Sequence, residues 1–267
     1  MLVLELNEMG NNVVWDPEQY VHGNYFQNEI SNAFQKSFKV KPCGTILDIG
    51  CGDGQHTSIL ADTLKHSQIL GIDSSEEMIR YANQHWARKN LSFEVHRIEE
   101  FDCSLVFDFI LSFWCLHWTH IELSFPKIFH AMKEGGRAYA VFSSFSDNSI
   151  FQVWRELAKQ NRYRDLTDEY INPKHQHTKY FYRVLSILNQ LPFKRVKLNL
   201  KTVTVSFPDV SYFKNLLLTM PFVKKIPAEI VDDLLTEMLQ TFQNICQRKY
   251  SGKLYYETRP IFLEAIK

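Results

Sequence analysis

The chain has 267 residues, of which 45% are hydrophobic, enough for one large α/β domain with a full core. Its 30 Lys plus Arg balance 30 Asp plus Glu, which argues against a global basic field for a nucleic-acid backbone, and no apolar stretch approaches the length of a bilayer span. Five cysteines (Cys43, Cys51, Cys103, Cys115, Cys246) are odd in number and lack a C-x-x-C pair, which argues against a disulfide framework and a zinc site. No metal and no nucleic-acid or membrane partner is expected, and the N-terminus lacks the basic lead of a signal peptide, so the sequence reads as cytoplasmic.

From residue 45 to 144, short apolar runs alternate with helix-period segments, the pattern of a parallel sheet covered by helices. "TILDI" (45–49) predicts a first strand, "GQHTSILADTLKH" a helix with Ile59, Leu60 and Leu64 on one face, and "QILGID" (68–73) a second strand. In "SSEEMIRYANQHWARKN", Ser74 and Glu77 have capping-box spacing, and Met78, Ile79, Ala82 and Trp86 recur at helical intervals. Two more strands read as "LSFEVHRI" and "FDFILSF". "IELSFPKIFHAMKEGG" predicts a helix bent at Pro126 and closed by Gly135 or Gly136, ahead of a fifth strand, "RAYAVFSS".

Past residue 145 the rhythm changes. "SIFQVWRELAKQ", "YFYRVLSILNQL" and residues 226–249 predict helices, while "KRVKLNLKTVTVSF" (194–207) alternates like one long strand. "KLYYETRPIFLEAIK" alternates too, with Pro260 implying an edge or bulge. The expected layout is a single domain over 1–267: a leading segment (1–43), a core (44–144), helical lid segments (145–193 and 208–250) and final strands (194–207 and 253–267).

Gly50, Gly52 and Gly54 fall where the first strand gives way to a helix, the place at which open α/β sheets bind ligands. The spacing is G-x-G-x-G, not the dinucleotide G-x-G-x-x-G, and no Lys-Ser/Thr follows to make a phosphate loop. Asp53 would bring a carboxylate to the helix N-terminus where a pyrophosphate would otherwise sit, with Asp48 close behind. An acid-lined glycine loop suits a cationic ligand without phosphate, such as S-adenosylmethionine. Asp73, ending the second strand, stands where an acid can accept from ribose hydroxyls. The competing reading makes the glycines a tight turn and Asp73 a helix cap.

"LDIGCGDG", "GIDSSEEM", "FDFILSFWCLHW" and "KIFHAMKEGGRAYAVF" occur in an order that resembles class I S-adenosylmethionine-dependent methyltransferases, over roughly residues 44–144. "WDPEQYVHGNYFQNEIS", "SFWCLHW" and "MPFVKKIPAEIVDDLLTEML" are most similar to the juvenile hormone acid and trans-aconitate methyltransferases, which esterify carboxylic acids. The resemblance implies a Rossmann-like, seven-stranded, mostly parallel sheet with helices on both faces and a helical lid, residues 1–43 covering the site. It implies that Asp48, Gly50 and Gly52 contact the methionine part of the cofactor, Asp73 the ribose, and Ser112 with Phe113 its substrate-facing side. Cys51, Ser74 and Met78 complete the expected cofactor set, and Gln27 and Trp118 match positions that line the substrate carboxylate. Where such enzymes often carry an aspartate for the adenine amino group, this chain has Arg97, so adenine falls to the Ile98 backbone and Glu99.

A carboxylate is ionised near neutral pH and needs no general base, whereas an amine must first lose a proton. Gln27 and Trp118 are therefore expected to donate to a small-molecule carboxylate, with Trp114, Tyr180, Phe181 and Tyr182 walling an apolar tail. For Trp118 a plug between sheet and helix, and for Gln27 a helix-surface amide, stay open. His117 reads as a hydrogen-bonded structural residue, Cys51 and Cys115 as packing thiols, and His175 with His177 as a solvated loop. An acid bound to an acyl-carrier protein that docks on "KRVKLNLK" and "FVKKI", a nitrogen or carbon nucleophile, and a non-catalytic cofactor-binding partner protein are the alternatives.

Overall fold

The computed structural model describes residues 15–41, 44–101, 104, 106–164, 166, 176–223 and 226–267. Residues 1–14 of the leading segment, Cys43, Cys103, His175, Lys224 and Lys225, and the side chain of His177, lie outside the described residues. Among those described, no helix is long and apolar enough to cross a membrane.

Two helices, α1 (Pro17–Gly23) and α2 (Tyr25–Gln35), precede the sheet. Asp16 starts α1 by accepting from the Glu18 and Gln19 N–H groups, next to Pro17 at the first helical position. The alternating core then runs β1 (Thr45–Ile49), α3 (Gln55–Thr63), β2 (Gln68–Asp73), α4 (Glu76–Trp86), β3 (Leu91–Val95), β4 (Phe107–Phe113), α5 (Ile121–Ala131) and β5 (Met132–Phe142). After it come α6 (Ser149–Leu157), α7 (Gln176–Gln190), β6 (Arg195–Leu200), β7 (Val203–Ser206), α8 (Ser211–Thr219), α9 (Ala228–Tyr250), β8 (Tyr255–Thr258) and β9 (Ile261–Ile266).

Seven strands form one sheet in the order β3-β2-β1-β4-β5-β9-β6. Its first five pair in parallel, and β9 runs antiparallel to both β5 and β6. Successive residues of a strand face opposite sides, so Ile46 joins one core with Phe26, Leu60 and Ala82, while Leu47 joins another with Phe125, Ile128 and Val184. The α/β class and the mostly parallel seven-stranded sheet expected from the alternation are thus observed.

Several element boundaries need correction. The helix expected to reach Gly136 stops at Ala131, and β5 starts at once with Met132. Phe107 pairs with Met132 and Phe109 with Arg137, so residues 133–136 bulge out of the ladder there. The strand expected over 194–207 is two strands in different sheets, β6 in the large one and β7 in a two-stranded sheet with β8. The C-terminal run divides likewise at Arg259 and Pro260, where proline has no N–H for a ladder. Ile59 is 58% exposed, so the buried face of α3 is carried by Leu60 and Ala61 without it.

The cap of α4 is also one residue later than the capping-box spacing suggested. Ser75 is the N-cap and its Oγ accepts from the Met78 N–H at 3.3 Å, whereas Ser74 is exposed. Ser75→Ala is expected to cost about 1 kcal/mol, roughly 2–4 °C of melting temperature, and Ser74→Ala almost nothing. Thermal melts of the two variants check this, and a larger loss from Ser74→Ala would return the cap to Ser74.

Candidate active site

The sheet delivers β1 and β2 side by side, with Asp48 opposite Gly71 and Ile49 opposite Ile72. Past Ile49 the backbone turns through three residues in the left-handed region, Gly50 (φ +72), Gly52 (φ +55) and Gly54 (φ +76). A Cβ on Gly54 would lie 2.7 Å from the Ala82 side chain and 2.8 Å from Phe93, so glycine lets α3 settle against α4 and β3. The Gly50 and Cys51 N–H groups donate to the Ile72 carbonyl at 2.7 and 3.0 Å. Asp73 clamps the loop from the end of β2, Oδ2 accepting from the Gly52 N–H at 3.0 Å and Oδ1 from Ser75 at 2.9 Å.

The loop forms one wall of a cavity through Asp48, Gly50, Cys51, Gly52, Asp53, Gln55 and His56. Tyr20, Asn24, Gln27, Asn28 and Ser31 of the leading helices form the opposite wall, and Phe113 and Trp114 close it at the end of β4. Trp114 holds a positive φ of 59°, donates its N–H to the Val141 carbonyl at 2.6 Å, and reaches α2 through Nε1, 3.1 Å from the Gln27 carbonyl. Ser112 lies beneath, its hydroxyl donating to the Ile49 carbonyl at 3.0 Å.

Negative charge crowds the loop wall. Burial pushes Asp48 up to about 6, against the opposing hydrogen bond from the Thr57 hydroxyl at 2.6 Å. Burial likewise raises Asp53 and Asp73, against backbone N–H donors from Gln55 for the one and from Ser75, Gly52 and Ser74 for the other. No Lys or Arg is among the described lining residues. Asp53 Oδ2 and Gln27 Oε1 are buried acceptors without a partner, and His56 Nδ1 is buried and unpartnered as well. A Cβ on Gly52 would meet nothing nearer than Tyr20, at 3.7 Å, so the backbone there faces open space between the walls. The unpartnered Asp53 oxygen beside an open glycine cradle fits a ligand that brings an ammonium group and no phosphate.

Of the residues singled out in the sequence, the cavity gathers Asp48, Gly50, Cys51, Gly52, Asp53, Gln27, Phe113 and Trp114, and Asp73 supports it from behind. Trp118 is not among its lining residues. It packs edge-on against Trp15, 5.9 Å between centroids, and Trp15 packs on Tyr20 at the same distance, a three-ring row leading to the cavity. Glu99 Oε1 accepts from the His120 N–H at 2.9 Å with Arg97 at 3.7 Å, and the side chains of Ile98 and Met78 are buried in the core. Ser74 is exposed. The expected aromatic wall from α7 is corrected: Tyr180 is buried in the core beside Val184 and Tyr182 is 61% exposed, so neither lines this cavity.

His117 Nδ1 accepts from the Ser143 N–H at 3.3 Å, and burial lowers its basicity to about 3, which makes it a neutral structural acceptor. Burial raises the Cys51 and Cys115 thiols well above their ordinary range, which suits packing and not nucleophilic attack. Sequence reasoning missed Tyr20, Asn24, Asn28, Ser31 and His56. A signal existed for part of this set: Asn24, Gln27, Asn28 and Ser31 follow an i, i+3, i+4, i+7 stripe, the spacing of one helix face, made of polar residues that include the buried Asn24 and Ser31.

A sheet of this order, with an acid-lined glycine loop after β1 and a clamping acid at the end of β2, defines the class I methyltransferase fold. The chain belongs to the family described as Methyltransferase domain, which matches residues 41–186, and it is a methyltransferase that uses S-adenosylmethionine. It is similar to the juvenile hormone acid O-methyltransferase of Bombyx mori, 29% identical over 210 residues covering 75% of this chain and 74% of that protein. A trans-aconitate 2-methyltransferase of an Acidovorax species is 30% identical over 122 residues, covering 45% and 46%. In fold it resembles Haemonchus contortus phosphoethanolamine N-methyltransferase 2, solved with S-adenosyl-L-methionine (TM-score 0.59, 15% identity, 98% of this chain), and spans 60% of that longer chain.

Proposed function

We propose that this chain esterifies the carboxylate of a small acid. The observation that carries the reading is the cavity itself: a glycine loop whose carboxylates suit the donor's ammonium end faces a wall whose described residues are neutral amides and hydroxyls and carry no base. Bound S-adenosylmethionine supplies an electrophilic methyl group on a sulfonium centre. Asp48 and Asp53 would hold the ammonium end, Gly50 and Gly52 give the backbone close approach, and Asp73 fixes the loop and offers remaining lone pairs to a ribose. Gln27, anchored on α2 beside Trp114, orients the acceptor, and the Trp118–Trp15–Tyr20 row shields the reaction from water.

The acceptor class follows from what is left once Asp48 and Asp53 are committed to the donor's ammonium. His56, which burial holds down to about 4, is too weak a base to deprotonate an ammonium nucleophile efficiently, whereas an ionised carboxylate asks for no base. The relatives named for juvenile hormone acid and trans-aconitate act on acids, in keeping with this. A carrier-bound acid is less well supported, because Lys194 and Lys197 of the basic run are paired with Glu134 and Glu264.

Methyl transfer from labelled S-adenosylmethionine to a panel of carboxylic acids and amines tests the proposal. A base-labile product on the acids is expected, and labelling confined to the amines would end the reading. Within the active panel, Gln27→Ala is expected to raise KM for the acid about tenfold, the scale of one hydrogen bond to a charged group, and to leave S-adenosylhomocysteine affinity unchanged. Equal losses of both would place Gln27 on the cofactor instead.

A further inference from the structure

We propose that His56 holds the carboxylate of the cofactor's amino-acid end through its unpartnered ring nitrogen, an inference that rests on the methyl-donor reading of the cavity. That end of the ligand carries two opposite charges about one residue's width apart. Asp48 and Asp53 answer the ammonium, but no cationic side chain is among the described lining residues to answer the carboxylate. The carboxylate therefore depends on neutral donors.

Three buried side-chain atoms of the cavity lack partners: Gln27 Oε1, Asp53 Oδ2 and His56 Nδ1. The two oxygens accept, and of the three only the imidazole nitrogen can carry a hydrogen as placed. His56 is the second residue of α3, next to the Gln55 N–H that Asp53 Oδ1 already holds at 3.0 Å, so the donor offered to the anion is the ring and not the helix end. Phe113 packs edge-on against the ring, 4.9 Å between centroids at 74°, which fixes its plane. Burial keeps the imidazole neutral down to about pH 4, so one ring nitrogen is a donor throughout the working range and adds no charge to repel the ammonium. His56 is a positioning residue on this account and not a base.

Calorimetry with S-adenosylhomocysteine and with its decarboxylated analogue tests the contact, because the second ligand differs only in lacking the carboxylate. The native protein is expected to bind the analogue at least tenfold more weakly. His56→Phe should bring S-adenosylhomocysteine down to the analogue's affinity while leaving the analogue within threefold of its native value. His56→Asn, which can offer an amide N–H near the place of Nδ1, should recover much of the discrimination. If the phenylalanine variant does not fold, His56→Ala gives the same comparison. Equal weakening of both ligands marks a packing role and overturns the proposal, as does an unchanged tenfold preference. Failure of the native protein to bind S-adenosylhomocysteine at millimolar concentration overturns the methyl-donor reading itself.

Discussion

Gly50→Ala is expected to be among the most damaging single-methyl changes at the described glycines. The new Cβ would stand 2.2 Å from the Cys115 Cβ and 2.4 Å from its sulfur, at a φ of +72°. The left-handed backbone costs an L residue about 1–2 kcal/mol and the overlap about 1–3 kcal/mol more. The sum, about 2–5 kcal/mol, corresponds to a fall in melting temperature on the order of 5–20 °C. Cofactor affinity should fall with it, by tenfold or more, because Gly50 lines the cavity proposed for the ligand. The two contributions separate in a double-mutant cycle. Cys115→Gly removes the atoms in the way and leaves φ untouched, so the pair should recover the overlap portion alone. Strict additivity of the two substitutions in thermal melts would show that the collision is not the cause.

Asp48→Asn should move stability and binding in opposite directions. Asp48 titrates near 6 in the folded protein against 3.8 when unperturbed, because burial disfavours its charged form. A carboxyl group whose folded value is raised binds its proton more tightly in the folded state. The ligand-free protein therefore loses stability as pH rises from about 4 to 6, and the full cost, about 3 kcal/mol, is present above 6. Asparagine accepts from Thr57 as the carboxylate does and carries no charge. The variant should melt higher than the native protein at pH 7, by up to that amount, with a smaller difference at pH 4. Asp53 and Asp73 shift the same way and leave some pH dependence in the variant. Affinity for the cationic methyl donor should meanwhile drop at least tenfold at pH 7, and native affinity should weaken as pH falls below 6. Melting scans and calorimetry across pH 4–8 read both effects, and a variant that melts lower at pH 7 would contradict the assigned cost.

The central half of the fold was legible because its signals are local. In β1 and β2 the runs "TILDI" and "QILGID" are bounded by turn residues, and their observed limits match those runs. The glycine loop was legible for the same reason, since three glycines and an acid within five residues are one contiguous pattern. Most of what failed depended on partners distant in sequence. "KRVKLNLKTVTVSF" did carry a local sign, because its apolar positions shift phase at Lys201 and Thr202, from Val196, Leu198 and Leu200 to Val203, Val205 and Phe207. Its two halves pair with β9 and β8 in separate sheets. The residues "MKEGG" continue a helical period, yet Met132 is claimed by Phe107 across the sheet and the glycines serve a bulge. At the site, Tyr182 was assigned from its chemistry alone and faces solvent, whereas Trp118, assigned by resemblance, stands behind Trp15 in the row that leads to Tyr20. The polar stripe of α2 was present in the sequence, but its partner wall, Asp48 to His56, follows only after an intervening loop and strand.

The position of β9 between β5 and β6 has a consequence for how the chain is made. The two strands that flank it are synthesised first and cannot touch each other in the finished sheet, so each keeps an open edge until β9 emerges. At ordinary elongation rates of about 5–20 residues per second, the interval from Leu200 to Ile261 lasts roughly 3–12 s. Through that time the nascent chain carries two unpaired edges, each a template for a neighbouring polypeptide. Both close when a single six-residue strand slides between them.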